Sequence, residues 1–113
     1  MPSKRIKMTQ ENAIEIFKAL SNETRLNILK WLKNPDEHFP PQGTHLEGVN
    51  LDGAVCVDSL QKKLNISQST TSQYLSQLQR AGLLYAQRHG KWTYYGRNEE
   101  TITKLAEYIK IEI

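Results

Sequence analysis

The 113-residue chain has a single cysteine, Cys56, so it has no internal disulfide framework and is expected in a reducing, cytoplasmic compartment. It also lacks any apolar run near the roughly 20 residues needed to cross a bilayer, and no membrane partner is expected. The basic start, Lys4-Arg5-Ile6-Lys7, has no apolar stretch behind it and so is not a secretory signal. No glycine-rich phosphate loop is present. Three scattered histidines and one cysteine offer no paired nucleophile and base, which excludes the common enzyme classes. Two Asn-x-Ser/Thr matches, at Asn22 and Asn65, fall at expected helix starts and are discounted as glycosylation sites.

Charge is distributed unevenly along the chain. Residues 36–58 hold five acids (Asp36, Glu37, Glu47, Asp52 and Asp58) and neither Lys nor Arg. The remainder therefore carries 15 basic against 7 acidic residues, a local excess of +8 beneath a formal net charge of +3. Such an excess suits a polyanionic partner, although ordinary solvated lysines would give a similar balance. Hydrophobic content of 38% fits a folded domain rather than a disordered one. Residues 1–113 read as a single domain with a modest core, small enough to gain from a partner subunit.

Apolar spacing predicts a first helix capped by Thr9 and running to about Leu20, with Ala13, Ile14, Phe17 and Leu20 at three- and four-residue spacing. Ser21 or Asn22 caps a second, in which Leu26, Leu29 and Leu32 form a stripe beside Ile28 and Trp31. That helix is expected to end near Asn34-Pro35, because proline disfavours helical geometry in the residue before it. Residues 35–54 contain three of the four prolines and three of the six glycines and read as a long acidic loop. A short strand, Val55-Cys56-Val57, precedes a third helix beginning at Asp58 with Leu60 and Leu64 inward. Strands are expected at Leu83–Arg88 and Trp92–Arg97, joined at His89-Gly90-Lys91. A last helix, from about Glu99 to Ile111, places Ile102, Leu105, Ala106 and Ile109 on one face.

The stretch between the third helix and the strands is the most informative. Asn65-Ile66 is a tight connection, Ser67 caps a new helix, and Gly82 stops it. Helix, short turn, helix is the helix-turn-helix arrangement. The buried side of the second helix needs Tyr74, Leu75, Leu78 and Ala81, which leaves Gln68, Ser69, Ser72, Gln73, Ser76 and Gln77 outside. Surface helices usually carry Glu and Lys there. Short uncharged donors and acceptors suit close approach to base edges, so this face reads as a DNA recognition helix.

The runs ALSNETRLNILKWL at 19–32, SQSTTSQYLSQLQRAGLL at 67–84 and RHGKWTYYGRN at 88–98 together resemble the ArsR/SmtB family of winged-helix repressors. The resemblance covers most of the chain outside the loop, and the second run is its most specific part. It implies a mainly α fold with a small β-hairpin, a winged helix-turn-helix of about five helices and a two-stranded wing. It also implies a cytoplasmic homodimer joined through first and last helices, an operator that is an imperfect inverted repeat of double-stranded DNA, and release by an effector. By the same resemblance Gln68, Ser69, Ser72 and Gln73 match the positions that read the major groove, while Arg88, His89 and Lys91 match the wing's minor-groove or phosphate contact. A solvated hairpin tip is the plain alternative for the last three.

Thr70 is expected to complete the cap, Thr71 to face inward, and Tyr74 to pack or to reach a phosphate. Trp92 and Tyr94 share one strand face with Tyr95 opposite, which points to wing stiffening rather than base stacking. Lys62, Lys63 and Arg80 are generic phosphate partners. The metal-sensing relatives use a Cys-x-Cys pair at the third helix, where this chain has Cys56-Val57-Asp58, or histidines on the last helix, which here offers Glu99, Glu100, Glu107 and Glu112. Neither ligand set is complete. A mixed site from Asp36, Glu37, His38, His45, Glu47 and Cys56 matches no tight ligand spacing, so no metal or cofactor is expected. Cys56 reads as a small structural residue or as a redox switch. The competing function is a winged-helix protein-interaction module without specific DNA reading.

Overall fold

Side-chain caps in the sequence start four of the helices in the computed structural model, which describes residues 7–113. The basic start at residues 4–6 lies outside the described residues. Thr9 Oγ1 accepts the Asn12 N–H at 3.1 Å to open α1 (Gln10–Leu20). Asn22 Oδ1 accepts the Arg25 N–H at 3.0 Å to open α2 (Glu23–Lys33). Each such bond satisfies one of the amides that a helix start leaves without a partner.

The segment expected to be loop throughout 35–54 begins with a single helical turn, α3 (Pro35–His38), nucleated by proline at its first position. Phe39 follows and is buried, edge-on to Trp31 at 6.5 Å between ring centroids. Next come β1 (Val55–Cys56) and α4 (Val57–Leu64), the latter starting one residue before the expected Asp58. Asp58 instead sits in the first turn, where the helix dipole favours a carboxylate. Asn65, at φ 55°, takes the left-handed conformation that turns the chain from α4 into α5 (Gln68–Arg80). Asparagine tolerates that region better than most residues.

Helix α5 ends in a Schellman motif. The Leu83 N–H reaches Leu78 O at 3.0 Å and the Gly82 N–H reaches Gln79 O at 2.9 Å, with Gly82 at φ 82°. Strands β2 (Leu84–His89) and β3 (Trp92–Arg97) pair antiparallel from Leu84↔Arg97 to His89↔Trp92, leaving Gly90-Lys91 as a two-residue turn. The expected short strand β1 also pairs with β3, so it joins the two-stranded wing in a three-stranded sheet of order β1-β3-β2. Val55 drives this pairing: it is wholly buried and lies opposite Tyr95 on the face packed against the helices. Asn98 then caps α6 (Glu99–Glu112).

The core draws on every layer: Ile16 of α1, Ile28 of α2, Leu60 of α4, Leu75 and Leu78 of α5, and Leu83 beside the sheet are all at most 2% exposed. The first and last helices each keep part of their apolar stripe outside the core. Helix α1 buries Ala13, Ile16 and Ala19, while Ile14 and Phe17 remain 42% and 37% exposed. Helix α6 buries Thr101 and Leu105 but leaves Ala106 and Ile109 outside. Leu26 of α2 is likewise exposed.

Candidate nucleic-acid interface

The polar face of α5 is built on a fixed frame. Ser67 Oγ accepts the Thr70 N–H at 3.2 Å and donates to Thr70 Oγ1 at 2.9 Å, and Thr71 Oγ1 donates back to Ser67 O at 2.9 Å. Thr71 is buried, as expected, beside Leu75 and Leu78. Tyr74 is half-buried against the core, so packing is what its ring does here. Gln68, Ser69, Ser72, Gln73 and Ser76 are exposed and carry no side-chain hydrogen bond that would withdraw them, apart from a 3.3 Å contact between the Ser67 and Ser69 hydroxyls. Their donors and acceptors are free for another molecule.

Gln77 departs from this pattern. Its Oε1 accepts from Arg25 Nη1 at 2.9 Å, so it belongs to the frame rather than to the outward face. Arg25 also donates through Nε to Ala19 O at 2.7 Å and through Nη2 to Lys18 O at 3.3 Å, and its guanidinium lies 5.7 Å from the centre of the Tyr74 ring. One arginine thus ties the end of α1, the start of α2 and the middle of α5 together. The carbonyls it binds are at the C-terminal end of α1, where a cation is favoured. Sequence reasoning missed this residue, because nothing in its spacing distinguishes it from other basic residues near a helix start.

The wing supplies the second side of the interface. Between α5 and the hairpin runs a groove of about 520 Å³ bordered by Gln68, Ser72, Asp58, Lys91, Thr93 and Tyr95. Of the expected contact residues it therefore brings Gln68, Ser72 and Lys91 to one groove; Ser69, Gln73, Arg88 and His89 lie outside its lining. Cross-strand pairing puts Arg88 with Thr93 on the helix-side face of the hairpin. Arg88 is exposed, with Nε folded onto Gly90 O at 2.9 Å, and Lys91 Nζ stands 5.2 Å from the centre of the Trp92 ring. His89 falls on the opposite face. It is half-buried, its Nε2 lies 2.8 Å from Gln87 Oε1, and its ring centroid is 5.7 Å from that of Tyr94.

That opposite face is covered by the acidic segment. Gln87 Nε2 donates to Leu51 O at 3.0 Å, and His45 packs on Trp92 with ring centroids 5.0 Å apart. Gln42 anchors the other end: its Oε1 accepts the Cys56 N–H at 2.8 Å and its Nε2 donates to Ser59 Oγ at 3.2 Å. The segment is therefore a strap over the sheet. Tyr94, on the same sheet face, is 1% exposed, and this burial, with the nearby Cys56 thiol as a smaller cause, raises its pKa above its ordinary value. Tyr85 shifts the same way, through burial first and the Asp52 carboxylate second, opposed by its hydrogen bond with Gln87. The loop histidines lie apart, His45 on Trp92 and His38 beside Trp31 and Glu37. Among the described residues no three His, Cys, Asp or Glu side chains come together as metal ligands would.

Comparison with known proteins places this architecture. The model of the bacterial regulatory protein, arsR family, matches residues 51–86. An uncharacterized HTH-type transcriptional regulator of Bacillus subtilis, YbzH, is 56% identical over 101 residues, covering 88% of this chain and 97% of that protein. The arsenical resistance operon repressor of Escherichia coli is 33% identical over 82 residues, which are 73% of this chain and 56% of the repressor. Among solved structures, the homodimeric winged helix-turn-helix DNA-binding domain of a possible ArsR-family regulator from Mycobacterium bovis superposes with a TM-score of 0.61 at 24% identity, over 89% of this chain and 77% of that one. With the capped polar helix, the three-stranded wing and these relatives in agreement, the chain belongs to the ArsR family of bacterial regulatory proteins, DNA-binding transcriptional regulators of the winged helix-turn-helix fold.

Proposed function

We propose that the chain acts in the cytoplasm as a homodimeric repressor that reads an imperfect inverted repeat and is released by an effector. In this reading Gln68, Ser69, Ser72 and Gln73 enter the major groove. Each glutamine is able to bind an adenine edge bidentately, and each good base contact carries about 1–3 kcal/mol of discrimination. Arg88 and Lys91 approach the flanking backbone or minor groove, and His89, tied to Gln87, shapes the hairpin tip that presents them. The reading rests above all on the outward face of α5, which is polar, uncharged and exposed while its base is fixed by Ser67 and Arg25.

The apolar residues left outside on α1 and α6 support the dimer. Ile14, Phe17, Ile109 and Ile111 are all exposed on the two helices through which the family resemblance implies dimerisation. A two-fold axis there would set two α5 helices about 34 Å apart, one turn of DNA.

Fluorescence anisotropy tests the proposal on duplex DNA from upstream of the protein's own gene. A scrambled duplex and a Gln73→Ala variant serve as controls at two salt concentrations. Tight binding that prefers the native duplex, weakens with salt and loses preference in the variant is the expected result. Absence of binding at low salt would favour a protein-interaction module instead.

A further inference from the structure

The described residues include one buried side-chain polar atom without a hydrogen-bond partner, Thr101 Oγ1, and it sits at a cavity. Thr101 is 1% exposed in the first turn of α6. The cavity, about 220 Å³, lies where α1, the end of α5 and the start of α6 meet, with Ile16, Ala81 and Gly82 beside the threonine and Glu15 and Arg80 among its lining. A buried hydroxyl without a partner carries a desolvation cost of about 1–3 kcal/mol, which a ligand atom able to hydrogen-bond would remove.

The charge at this place is lopsided. The cavity continues into a neighbouring groove that shares Glu15, Arg80 and Ala81 with it and adds Lys18 and Arg25. Glu15 is within 3.8 Å of Lys18 Nζ, and Arg25 is engaged by Gln77 and two carbonyls. Arg80 is exposed and makes no ion pair or side-chain hydrogen bond among the described residues. A compact molecule with an apolar body against Ile16 and Ala81, a polar atom at Thr101 and an anionic group at Arg80 fits both the shape and the charge.

The cavity is also separate from the proposed dimer face. At about 100° per residue, the midline between Ile14 and Phe17 lies roughly 160° around α1 from the midline between Asn12 and Glu15 of the cavity wall. The cavity also adjoins the end of α5 through the cap of α6. The Asn98 N–H donates to Leu83 O at 2.9 Å and the Leu83 N–H to Leu78 O at 3.0 Å, so the cap of α6 hangs on the cap of the recognition helix.

We infer that this cavity is an effector site for a small organic carboxylate whose binding weakens DNA affinity. The inference builds on the DNA-reading proposal above. A bound anion lowers the positive field beside α5, and DNA association depends on that field.

Benzoate is the probe, with benzyl alcohol as its neutral counterpart, on the full chain and on the Thr101→Val and Arg80→Gln variants. Thermal unfolding without DNA reads binding, and anisotropy with DNA reads coupling. Benzoate is expected to raise the melting temperature more than benzyl alcohol does. Its affinity should fall about tenfold, the equivalent of about 1.4 kcal/mol, in Arg80→Gln. It should also weaken DNA binding several-fold. No stabilisation by saturating benzoate, or stabilisation equal in the wild type and both variants, would overturn the site. Benzoate binding without any change in DNA affinity would overturn the effector role. A Thr101→Val protein that is more stable and as indifferent to benzoate as the wild type would mean that the cavity holds only solvent. DNA binding in the absence of benzoate is scored separately, so failure of the DNA-reading proposal is distinguishable from failure of this one.

Discussion

Arg25 and Gln77 are 52 positions apart in the chain and joined by a 2.9 Å hydrogen bond that ties α5 to the start of α2. The arginine holds two carbonyls of α1 at the same time, so α5 is fixed to the α1–α2 corner rather than only to the core beneath it. Replacing Arg25 by methionine removes all three hydrogen bonds and the contact with Tyr74 while retaining apolar bulk. We expect a loss of about 1–3 kcal/mol, the range for hydrogen bonds to charged groups, measured by urea unfolding. Gln77→Glu should preserve stability by pairing with Arg25, and Gln77→Ala should fall between. A stability of Arg25→Met equal to that of the wild type would remove this contact from the frame.

The strap over the sheet makes a second prediction. Gln87 Nε2 reaches Leu51 O across the outer face of the wing. Gln87→Leu should leave the helical core intact while hydrogen exchange quickens in β2, β3 and residues 42–54, since a segment tied down less firmly opens locally more often. Uniform quickening throughout the protein would mean instead that the strap stabilises the whole fold.

Gly96 lies under the Tyr85 ring. A Cβ at Gly96 would stand 2.6 Å from Tyr85 Cζ, closer than real side chains pack. Gly96→Ala is therefore predicted to push the Tyr85 ring aside and to cost about 1 kcal/mol, the low end of the overpacking range. Tyr85→Val in the same protein should recover most of that loss, because the ring is what the new methyl meets. Equal losses in the single and double variants would place the strain in the backbone.

The caps of α5 were legible in the sequence because they are local. Ser67 and Gly82 act within a few residues of themselves, and both behave as expected in the structure. The polar face was legible for the same reason, except at Gln77, whose partner lies on another helix. The inward face of α1 was not. Residues 13, 16 and 19 and residues 14 and 17 both satisfy helical spacing, and the bulkier stripe went outside while two alanines went in. Hydrophobicity favours burying Ile14 and Phe17, and the proposed dimer would give that stripe a partner. The strap was illegible because its ties are long-range: Gln42 bonds at Cys56 and Ser59, and a backbone carbonyl, Leu51 O, accepts from a residue 36 positions away. Any residue type supplies that acceptor.

Ile14 and Phe17 thus lead to a test of assembly. Phe17→Asp puts a charge on the exposed apolar stripe without touching the core. The monomer should fold with near-wild-type helicity, while sedimentation shows weakened self-association. Removing buried aromatic area and desolvating a carboxylate together cost several kcal/mol, so a loss of about a hundredfold or more is expected. A variant that remains dimeric would move the interface away from α1.

Tyr94 supplies a prediction in pH. Its phenol is held in the neutral form by burial, and its pKa is raised from 10.0. A raised folded-state pKa means that above pH 10.0 the folded chain binds more protons at this site than the unfolded chain does. Stability then falls as pH rises, since it increases with pH only where the unfolded state binds more protons. The contribution is fully present below the unfolded value of 10.0 and is lost as pH climbs from there through the folded value. The wild type alone does not isolate the contribution of one side chain. Tyr94→Phe keeps the ring and removes the proton. The difference in unfolding free energy between the two proteins should be flat near neutral pH and shift in favour of the variant above pH 10.0. A difference that stays constant across that range would show that the strap admits water to the phenol.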